Sequence, residues 1–488
     1  MPNFTEVEPP EYQSPLEIVH DATGGIEFTA PHALWANNVA AVSQLLDIEF
    51  LAAKTRIHIL DTTRKGQDAL INSINLVPDS PNTFADDPWW NTSNRGVTAL
   101  TIAMLAGQEV LIALTDEGDI FIWSTERLSR SQTSPLFHHN VDHSAWGVDL
   151  HTEFPWLVVS DNSRCITVLE LDLNGDTEIT LKSQRHSERM TGNIPCVCWL
   201  PGNHIGFSLL TLDMLTGMFG VLDLDFNQVW SIKTQQAGWC LKYLKDFTFL
   251  TVDTPLDLCG AKRRVRRTEI LECHDVCDVS HAIETITTDR LGFHTRWAEP
   301  QLWVKEQQKL MHNWVRNGSR TSLYDHGPKC LADTFLFFTS SVHAYLVSGE
   351  TGQCLTSGHR SFLPEGVVPS FEYVSNALSI VELVPALNLA VVVSRAAMVF
   401  FVRFTKQGDV RSFRQEKVLC GFDHFIVGLS ISPVRCFDLT FELETISLSG
   451  PEPTQKDYLR PQVCTGMYML RLHLTDGTIE SFLLGEGI

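Results

Sequence analysis

The sequence has little positive charge, almost no helical periodicity and no uninterrupted apolar run of membrane-spanning length. Lysine and arginine total 37 against 58 aspartate and glutamate residues, which gives a net charge of −21. A surface this acidic repels phosphate backbones, so direct binding to nucleic acid is disfavoured. The most apolar region, 379–404, contains Glu382, Pro385 and Arg395. These residues favour two strands and a turn over a membrane span.

The common catalytic and cofactor-binding motifs are also missing. The chain contains no G-x-x-x-x-G-K-S/T phosphate loop, no G-x-G-x-x-G after a strand, no G-x-S-x-G and no H-E-x-x-H. We therefore expect a protein that is not an enzyme and uses no cofactor. The catalytic alternative is a site assembled from side chains of distant segments, which leaves no local motif.

The 12 cysteines are scattered and do not form a compact framework. This distribution favours reduced, buried thiols in the cytosol or nucleus over disulfides. Cys259, Cys273, His274 and Cys277 lie close in sequence, but no second pair with ligand spacing follows, so we expect no metal site there. Residues 1–8 lack the basic and apolar regions of a secretory signal, and we expect none.

A hairpin pattern recurs along the whole chain. In QEVLIALTDEGDIFIW, residues 108–123, an apolar run turns at Asp116–Asp119 into a second apolar run. Both arms are rich in valine, isoleucine, leucine and phenylalanine, as in strands that are buried on both faces. Seven such hairpins lie at 50–61, 108–123, 156–169, 204–223, 334–347, 389–402 and 469–484.

A further short strand precedes most of these hairpins, for example at 97–105, 144–151, 193–200 and 237–244. An inner strand followed by a hairpin is the order of a WD-type blade. The sequence therefore predicts an all-β fold, a seven-bladed WD40-like β-propeller with irregular blades and a large inserted loop. A pair of β-sandwich domains is the alternative.

The predicted propeller spans residues 32–488, after an N-terminal extension at 1–31. Two long insertions interrupt it, at about 255–331 and 442–460. Within the first, 298–314 is the best candidate for a helix. Loops this long in a compact fold are commonly functional or disordered.

Three blocks of sequence carry a family resemblance. The segments 86–123, 143–173 and 193–201 contain the phrases DDPWW, HSAWGVDL and NIPCVCWLP at characteristic separations. Together they resemble the fungal ribonucleotide-reductase transcription regulators, the constitutive RNR transcription family. The match covers 86–223 well and the rest of the chain by general propeller character.

The resemblance implies a WD-repeat-like protein of the nucleus and cytoplasm. It implies repression of ribonucleotide reductase genes, a part in the response to replication stress and DNA damage, and a role as substrate adaptor of a cullin ubiquitin ligase. Adaptor propellers often carry W-D-x-R at the end of a blade. The nearest sequences here, LDTTR at 60–64 and WSTER at 123–127, place the arginine one position late.

Trp89 and Trp90 are candidate protein-binding residues. Two adjacent tryptophans beside Pro88 cannot both face one side of a strand, and exposed aromatics are strong interface anchors. The alternative is that they cap the edge of the propeller.

The dense basic cluster Lys262, Arg263, Arg264, Arg266 and Arg267 lies in the first predicted insertion. A nuclear import signal is the functional interpretation, with a phosphate-binding patch as a variant of it. A solvated loop that pairs with the acidic surface is the alternative.

Arg56, Arg164 and Arg395 occupy equivalent positions in three hairpin turns. Equivalent turns share one face of a propeller, so these arginines form a candidate protein-binding ring, with solubility as the alternative. His143, next to Ser144 and Trp146, is expected to be the structural histidine that orients the tryptophan of its blade.

These patterns favour a regulatory scaffold that binds proteins, such as a cullin ligase linker or chromatin factors, and acts as a monomer within a larger complex. We expect no membrane partner. A structural subunit of a constitutive trafficking or pore assembly is the alternative function.

Overall fold

The computed structural model describes most of the chain between residues 5 and 486. The described residues are 5–6, 16–25, 37–64, 69–76, 96–174, 178–211, 217–234, 238–253, 258, 329–340, 343–350, 352, 354–359, 378–394, 398–420, 422, 424–436 and 462–486.

The described strands form seven antiparallel sheets arranged in a ring. We number the sheets as blades 1 to 7 and letter the strands of each blade a to d from the centre outward. The a strands of successive blades contact one another, and that of blade 7 contacts that of blade 1. A closed ring of this kind is a β-propeller, so the predicted all-β, seven-bladed fold is confirmed and the pair of sandwiches is excluded.

The first three blades are continuous in sequence. Blade 1 contains β3 (Ala40–Val42), β4 (Ile48–Ala53), β5 (Arg56–Asp61) and β6 (Leu70–Asn75). Blade 2 contains β7 (Val97–Leu105), β8 (Gln108–Thr115), β9 (Asp119–Ser124) and β10 (Phe137–Asn140). Blade 3 contains β11 (Ala145–Leu150), β12 (Trp156–Asp161), β13 (Ile166–Asn174) and β14 (Glu178–His186).

Blades 4 to 7 complete the ring. Blade 4 contains β15 (Gly192–Leu200), β16 (His204–Thr211), β17 (Gly217–Leu222) and β18 (Gln228–Thr234). Blade 5 contains β19 (Gly238–Lys245), β21 (Thr334–Ser340), β22 (His343–Ser348) and β23 (Cys354–His359). Blade 6 contains β24 (Leu378–Val384), β25 (Leu389–Ser394), β26 (Met398–Gln407) and β27 (Val410–Cys420). Blade 7 contains β28 (Ile426–Cys436), β29 (Gln462–Leu474), β30 (Thr478–Glu486) and β2 (Leu16–Gly25).

The seven hairpins expected from the sequence are strands b and c of the seven blades. Because strands within a blade are antiparallel, the a–b and c–d connections emerge on one face of the ring. The b–c turns and the d–a connections emerge on the other. We call these the a–b face and the d–a face.

The turn between β8 and β9 shows why glycine recurs in these hairpins. Gly118 has φ +87°, a left-handed conformation that L side chains rarely adopt. A Cβ added there would lie 2.6 Å from the carbonyl oxygen of His143, at the start of the next blade. The side chain of Thr115 accepts a hydrogen bond from the backbone N–H of Asp119 (3.0 Å) and helps to close the turn.

The apolar runs are continuous because every blade is covered on both faces by its neighbours. On β25, Val392 packs into a cluster with Phe335 and Phe337 of blade 5. Its neighbours in sequence, Val391 and Val393, pack instead with blade 7. Alternate side chains thus enter two different cores, and neither face needs polar residues.

The ring is closed by the N-terminal segment. Leu16–Gly25 pairs antiparallel with β30 and supplies the outermost strand of blade 7. The sequence-based boundary at residue 32 is therefore too late. An outer strand has one exposed face and an edge, so LEIVHDATGG carries polar residues and lacks the apolar run that identified the inner strands. The predicted insertions at 255–331 and 442–460 fall largely outside the described residues and stay predictions.

Few other elements occur among the described residues. They are the short helix α1 (Thr125–Ser129) and the 3-10 turns Asp246–Thr248, Lys329–Leu331 and Pro385–Leu387. Two short strands join blade 6, where β1 (Thr5–Glu6) pairs with β27 and β20 (Leu250–Thr251) runs parallel to the end of β26. In this part of the chain no helix is both long and apolar enough to span a membrane. The predicted helix at 298–314 lies outside it.

Candidate protein-interaction site

The centre of the ring contains a channel of about 600 Å³. Its walls are the a strands of blades 2 to 6 together with Asn37 and Asn38, which precede β3. At one end the lining continues into the a–b connections of blades 3 and 4, at His151–Glu153 and Pro201–Asn203, and to Lys245, the last residue of β19 in blade 5. The channel is therefore continuous with the a–b face.

Two asparagines cross the other end of this channel. The side-chain amide of Asn37 donates to the carbonyl oxygens of Trp146 in blade 3 (2.7 Å) and Pro195 in blade 4 (2.9 Å). The amide of Asn38 bonds both backbone groups of Leu429 in blade 7, donating to its oxygen (2.8 Å) and accepting from its nitrogen (2.9 Å). These two residues, just before β3 of blade 1, thus bond to blades 3, 4 and 7 on the d–a side of the channel, and Asn38 also bonds Glu382 of blade 6.

Charged side chains inside the channel are compensated. The ammonium of Lys242 lies 3.5 Å from a carboxylate oxygen of Glu382, whose other oxygen accepts from Asn38 (3.2 Å). Burial opposes the charged form of Lys242, but Glu382 and nearby acidic groups raise its pKa above the ordinary value. Burial raises the pKa of Asp149 to about 6, although it accepts backbone hydrogen bonds from Trp199 (2.7 Å) and Leu150 (2.9 Å).

Three thiols line the same channel: Cys196, Cys198 and Cys240. Burial, with Asp149 nearby, raises the pKa of Cys198 well above its ordinary value. A hydrogen bond with Cys196, together with burial, raises the pKa of Cys240. Both thiols are therefore held in the protonated form, which is the unreactive form of cysteine. Among the described residues no group of three or more His, Cys, Asp or Glu side chains is arranged to hold a metal.

His151 organises the channel mouth on the a–b face. Its Nδ1 accepts the backbone N–H groups of Glu153 (3.0 Å) and Phe154 (3.2 Å), and its Nε2 donates to Asn203 of blade 4 (3.1 Å). This arrangement requires neutral imidazole. Burial lowers the pKa of His151, which favours the neutral form. The histidine therefore fixes the loop that presents Phe154.

Four aromatic rings cluster around this loop. Phe154 stacks on Trp156 with ring centres 4.7 Å apart, and His151 meets Trp199 edge to face at 5.0 Å. Trp199 is buried, and its indole nitrogen has no hydrogen-bond partner among the described residues. Phe154 itself is exposed. The result is a rigid aromatic platform beside the channel.

Apolar side chains recur on the a–b face. Each belongs to, or borders, a connection that leaves strand a: Leu45 in blade 1, Met104 in blade 2, Phe154 in blade 3 and Phe247 in blade 5, with exposed fractions of 58%, 49%, 41% and 68%. They account for half of the large hydrophobic side chains that are exposed in the described part of the chain. The other four lie on outer strands or on the d–a face. Exposed apolar groups gathered on one face are typical of a protein-binding surface.

The connection between β20 and β21, which spans the first predicted insertion, is anchored on the same face at both described ends. The carbonyl of Leu258 accepts from the hydroxyl of Thr405 at the end of β26 (2.7 Å). Leu331 is fully buried, and the thiol of Cys330 lies 3.7 Å from the imidazole of His204 in blade 4. Gly202, in the a–b turn of blade 4, leaves the space that Cys330 occupies.

Most of the sequence-predicted sites fall outside the described residues. These are Trp89, Trp90, Arg395, the basic cluster Lys262, Arg263, Arg264, Arg266 and Arg267, and the group Cys259, Cys273, His274 and Cys277. Arg56, the first residue of β5, and Arg164, in the b–c turn of blade 3, are described and lie on the d–a face. Their role in binding stays a prediction.

The hydrogen bonding at Trp146 corrects one expectation. The indole N–H of Trp146 donates to the hydroxyl of Ser144 (3.0 Å), which donates to Asp116 in the hairpin turn of blade 2 (2.8 Å). His143 is exposed. Ser144 takes the role expected of His143, because its hydroxyl lies between the aspartate and the indole, whereas His143 is exposed.

In both W-D-x-R-like sequences the arginine bonds to a residue nearby in the chain. Arg64 pairs with Asp61 (3.1 Å), and Arg127 bonds Gln132 (3.2 Å) just after α1, which Ser124 caps. Sequence reasoning missed Asn37, Asn38 and His151, because single polar residues beside strands carry no motif. The only available signal for His151 was its position at the end of a predicted inner strand.

Comparison with known proteins identifies the family. A family model described as CRT10 matches residues 32–254 and 262–435. A WD40 repeat-containing protein of Dictyostelium discoideum is 27% identical over 172 residues, which are 35% of this chain and 24% of that protein. The chain therefore matches about a quarter of the length of this relative.

A chain in the crystal structure of a mitotic checkpoint complex superimposes with a TM-score of 0.49 at 7% identity, covering 97% of this chain and 96% of that one. The family match and the propeller fold together support a regulatory scaffold for protein interactions. The match extends over most of the sequence, so the chain belongs to the CRT10 family, the regulators of ribonucleotide reductase transcription that its central segments resemble.

Proposed function

We propose that this protein regulates ribonucleotide reductase genes as a non-catalytic scaffold that docks partner proteins on its a–b face. The observation that carries the proposal is the gathering of Leu45, Met104, Phe154 and Phe247 on that face. Family membership supplies the regulatory role.

The two faces of the ring differ in a way that favours this choice. On the d–a side, Asn37 and Asn38 tie four blades together with satisfied hydrogen bonds. On the a–b side, the channel lining runs out to Lys245 and Glu153, beside the platform of Phe154. An open mouth with a rigid aromatic anchor and a charged rim is the usual anatomy of a protein-binding hot spot.

Net charge favours an indirect action on genes. A chain with a net charge of −21 is repelled by DNA unless its positive charge is concentrated locally. We therefore infer that the protein acts through chromatin factors or a cullin ligase linker and not by reading DNA. Action on genes requires entry from the cytoplasm into the nucleus. The basic cluster at Lys262–Arg267 is the candidate import signal.

Affinity purification from cells with and without replication stress tests the proposal. The bait is the full chain, compared with Phe154→Ser/Phe247→Ser and with a matched control, Val19→Ser/Phe425→Ser, whose exposed side chains lie on an outer strand and on the d–a face. We expect chromatin factors or a cullin linker with the wild type and the control, and their loss with the a–b face variant.

Two results would contradict the proposal. One is equal recovery of the same partners by all three baits, which would remove the a–b face from the interaction. The other is a stoichiometric coat or pore complex under both conditions, which would identify a structural subunit instead of a regulator. Reporter expression from a ribonucleotide reductase promoter, measured with the same variants, connects binding to regulation.

A further inference from the structure

A second cavity, of about 320 Å³, lies on the a–b face of blade 6. One wall is the segment Leu250–Asp253, which runs alongside the end of β26, and another is Ala386–Asn388 at the a–b connection. Arg403, Arg414 and Glu486 complete the lining. Two buried arginines in one small cavity are unusual, because a buried cation is costly unless it is paired.

The strand register brings the two arginines together. Arg403 on β26 is directly opposite Arg414 on β27, and the two residues are 1% and 3% exposed. One oxygen of the fully buried Glu416 accepts from both Nε atoms, at 2.7 Å from Arg403 and 2.8 Å from Arg414. The two guanidinium cations thus share one carboxylate oxygen.

A residue of the next blade supplies a second carboxylate to Arg403. Nη1 of Arg403 donates to the carbonyl of Leu387 (3.0 Å) and to a carboxylate oxygen of Glu486 at the end of β30 (2.6 Å). The side chain of Glu486 is 45% exposed, whereas that of Arg403 is 1% exposed. Water therefore competes for the carboxylate and not for the guanidinium, which makes Glu486 the replaceable partner.

One donor of the cluster is unused. Nη2 of Arg403 is buried and has no hydrogen-bond partner among the described residues. A buried N–H without an acceptor is destabilising, and more so on a charged group. An anion that engaged Nη1 and Nη2 together would remove this cost, because a guanidinium is shaped for bidentate pairing with carboxylate or phosphate.

We propose that this cavity is an anion-binding site that takes a carboxylate or phosphate group on Arg403 in place of Glu486. The incoming group replaces the negative charge of Glu486 and adds the acceptor that Nη2 lacks. Asp253 at the rim opposes a highly charged ligand, so a single oxyanion fits better than a polyphosphate. The site is independent of the proposed function, since it requires no protein partner.

Titration of the full chain with inorganic phosphate, glutarate and a short acidic peptide tests the site. Calorimetry at constant ionic strength, in a buffer free of other oxyanions, gives the affinities. Glu486→Gln removes the competing charge, and Arg403→Lys keeps a cation but removes the fork. Glu178→Gln, an exposed carboxylate on β14 of blade 3, is the charge-matched control.

We expect saturable binding that is about tenfold tighter in Glu486→Gln, about tenfold weaker in Arg403→Lys and unchanged in Glu178→Gln, as for one charge-assisted hydrogen bond gained or lost. The stronger of the phosphate and peptide responses identifies the source of the anion. Binding that is absent, or equal in all variants as for an adventitious ion only, overturns the proposal. If Arg403→Lys does not fold, the comparison of Glu486→Gln with Glu178→Gln decides.

Discussion

His473 on β29 donates from Nε2 to a carboxylate oxygen of Glu49 on β4, at 2.9 Å, across 424 positions of sequence. The two side chains join blade 7 to blade 1, the pair of blades between which the ring of the propeller closes. Both are buried, and the hydroxyl of Ser430 donates to the same carboxylate oxygen. A polar contact of this kind fixes how the last blade meets the first.

Glu49 makes stability depend on acid pH. Burial raises its pKa, but His473, Arg471 and Ser430 lower it more, from 4.5 to about 2. A carboxyl whose pKa is lowered by folding contributes stability above its unfolded value and loses it as pH falls. We expect about 3 kcal/mol of the free energy of unfolding to be lost between pH 4.5 and pH 2. Urea titrations at each pH, with Glu49→Gln against Glu178→Gln, measure this. If the free energy of unfolding depends on pH in the same way in both variants, this role of Glu49 is refuted.

Substitutions at Gly118 and Gly107 distinguish the cost of backbone strain from the cost of a steric contact. Both have positive φ, +87° and +81°, but a Cβ would meet His143 only at Gly118 and nothing within 4 Å at Gly107. We expect Gly107→Ala to cost about 1 kcal/mol from the left-handed conformation alone. Gly118→Ala should cost clearly more, because the backbone of the next blade must move. Thermal unfolding of both variants measures which one loses more stability. Equal losses would show that the contact with His143 does not contribute.

Asn38→Ala should destabilise the ring by about 1–3 kcal/mol, because it removes the hydrogen-bond partners of both backbone groups of Leu429. Asn162→Ala, an exposed asparagine in the hairpin turn of blade 3, is the control and should change little. Chemical denaturation of the two variants gives the difference. A loss no larger than that of the control would mean that the asparagine bridge is dispensable.

The platform of Phe154 should loosen in weak acid. Protonation of His151 removes the lone pair that accepts the N–H groups of Glu153 and Phe154. Because folding lowers the pKa of His151 from 6.5, its contribution is present at neutral pH and is lost as pH falls below that value. The hydrogen-exchange protection factors of these two N–H groups, which correct for the intrinsic effect of pH on exchange, should fall relative to neutral pH, both in the wild type and in the exposed-site variant His138→Gln. His151→Gln should abolish this pH dependence of protection. If the pH dependence persists in that variant, a group other than His151 causes it.

Local pattern predicted much of the fold. Runs such as LAVVVS on β25 could be recognised as strands covered on both sides because they lack polar alternation. The turn at 116–119 was readable because aspartate and glycine favour tight turns. The strand at 16–25 was not, because an outer strand is half exposed and its pairing partner lies more than 450 residues away.

The candidate site was predicted less well. The channel bonds of Asn37 and the network of Arg403, Glu416 and Glu486 depend on side chains from different blades. Nothing in the local sequence of any one of them indicates its partner. Trp89 and the basic cluster at 262–267, which sequence does single out, lie outside the described residues.

By itself the sequence determined the repeating hairpin and the family and predicted seven blades, because each hairpin and each family motif depends on residues close together in the chain. Only the tertiary structure decided which strand closes the ring, which end of the channel is crossed by asparagines and which face gathers the exposed apolar side chains. Those features arise from long-range pairing and from the alternation of connections between two faces. Both depend on the closed geometry of seven blades, which no segment contains alone.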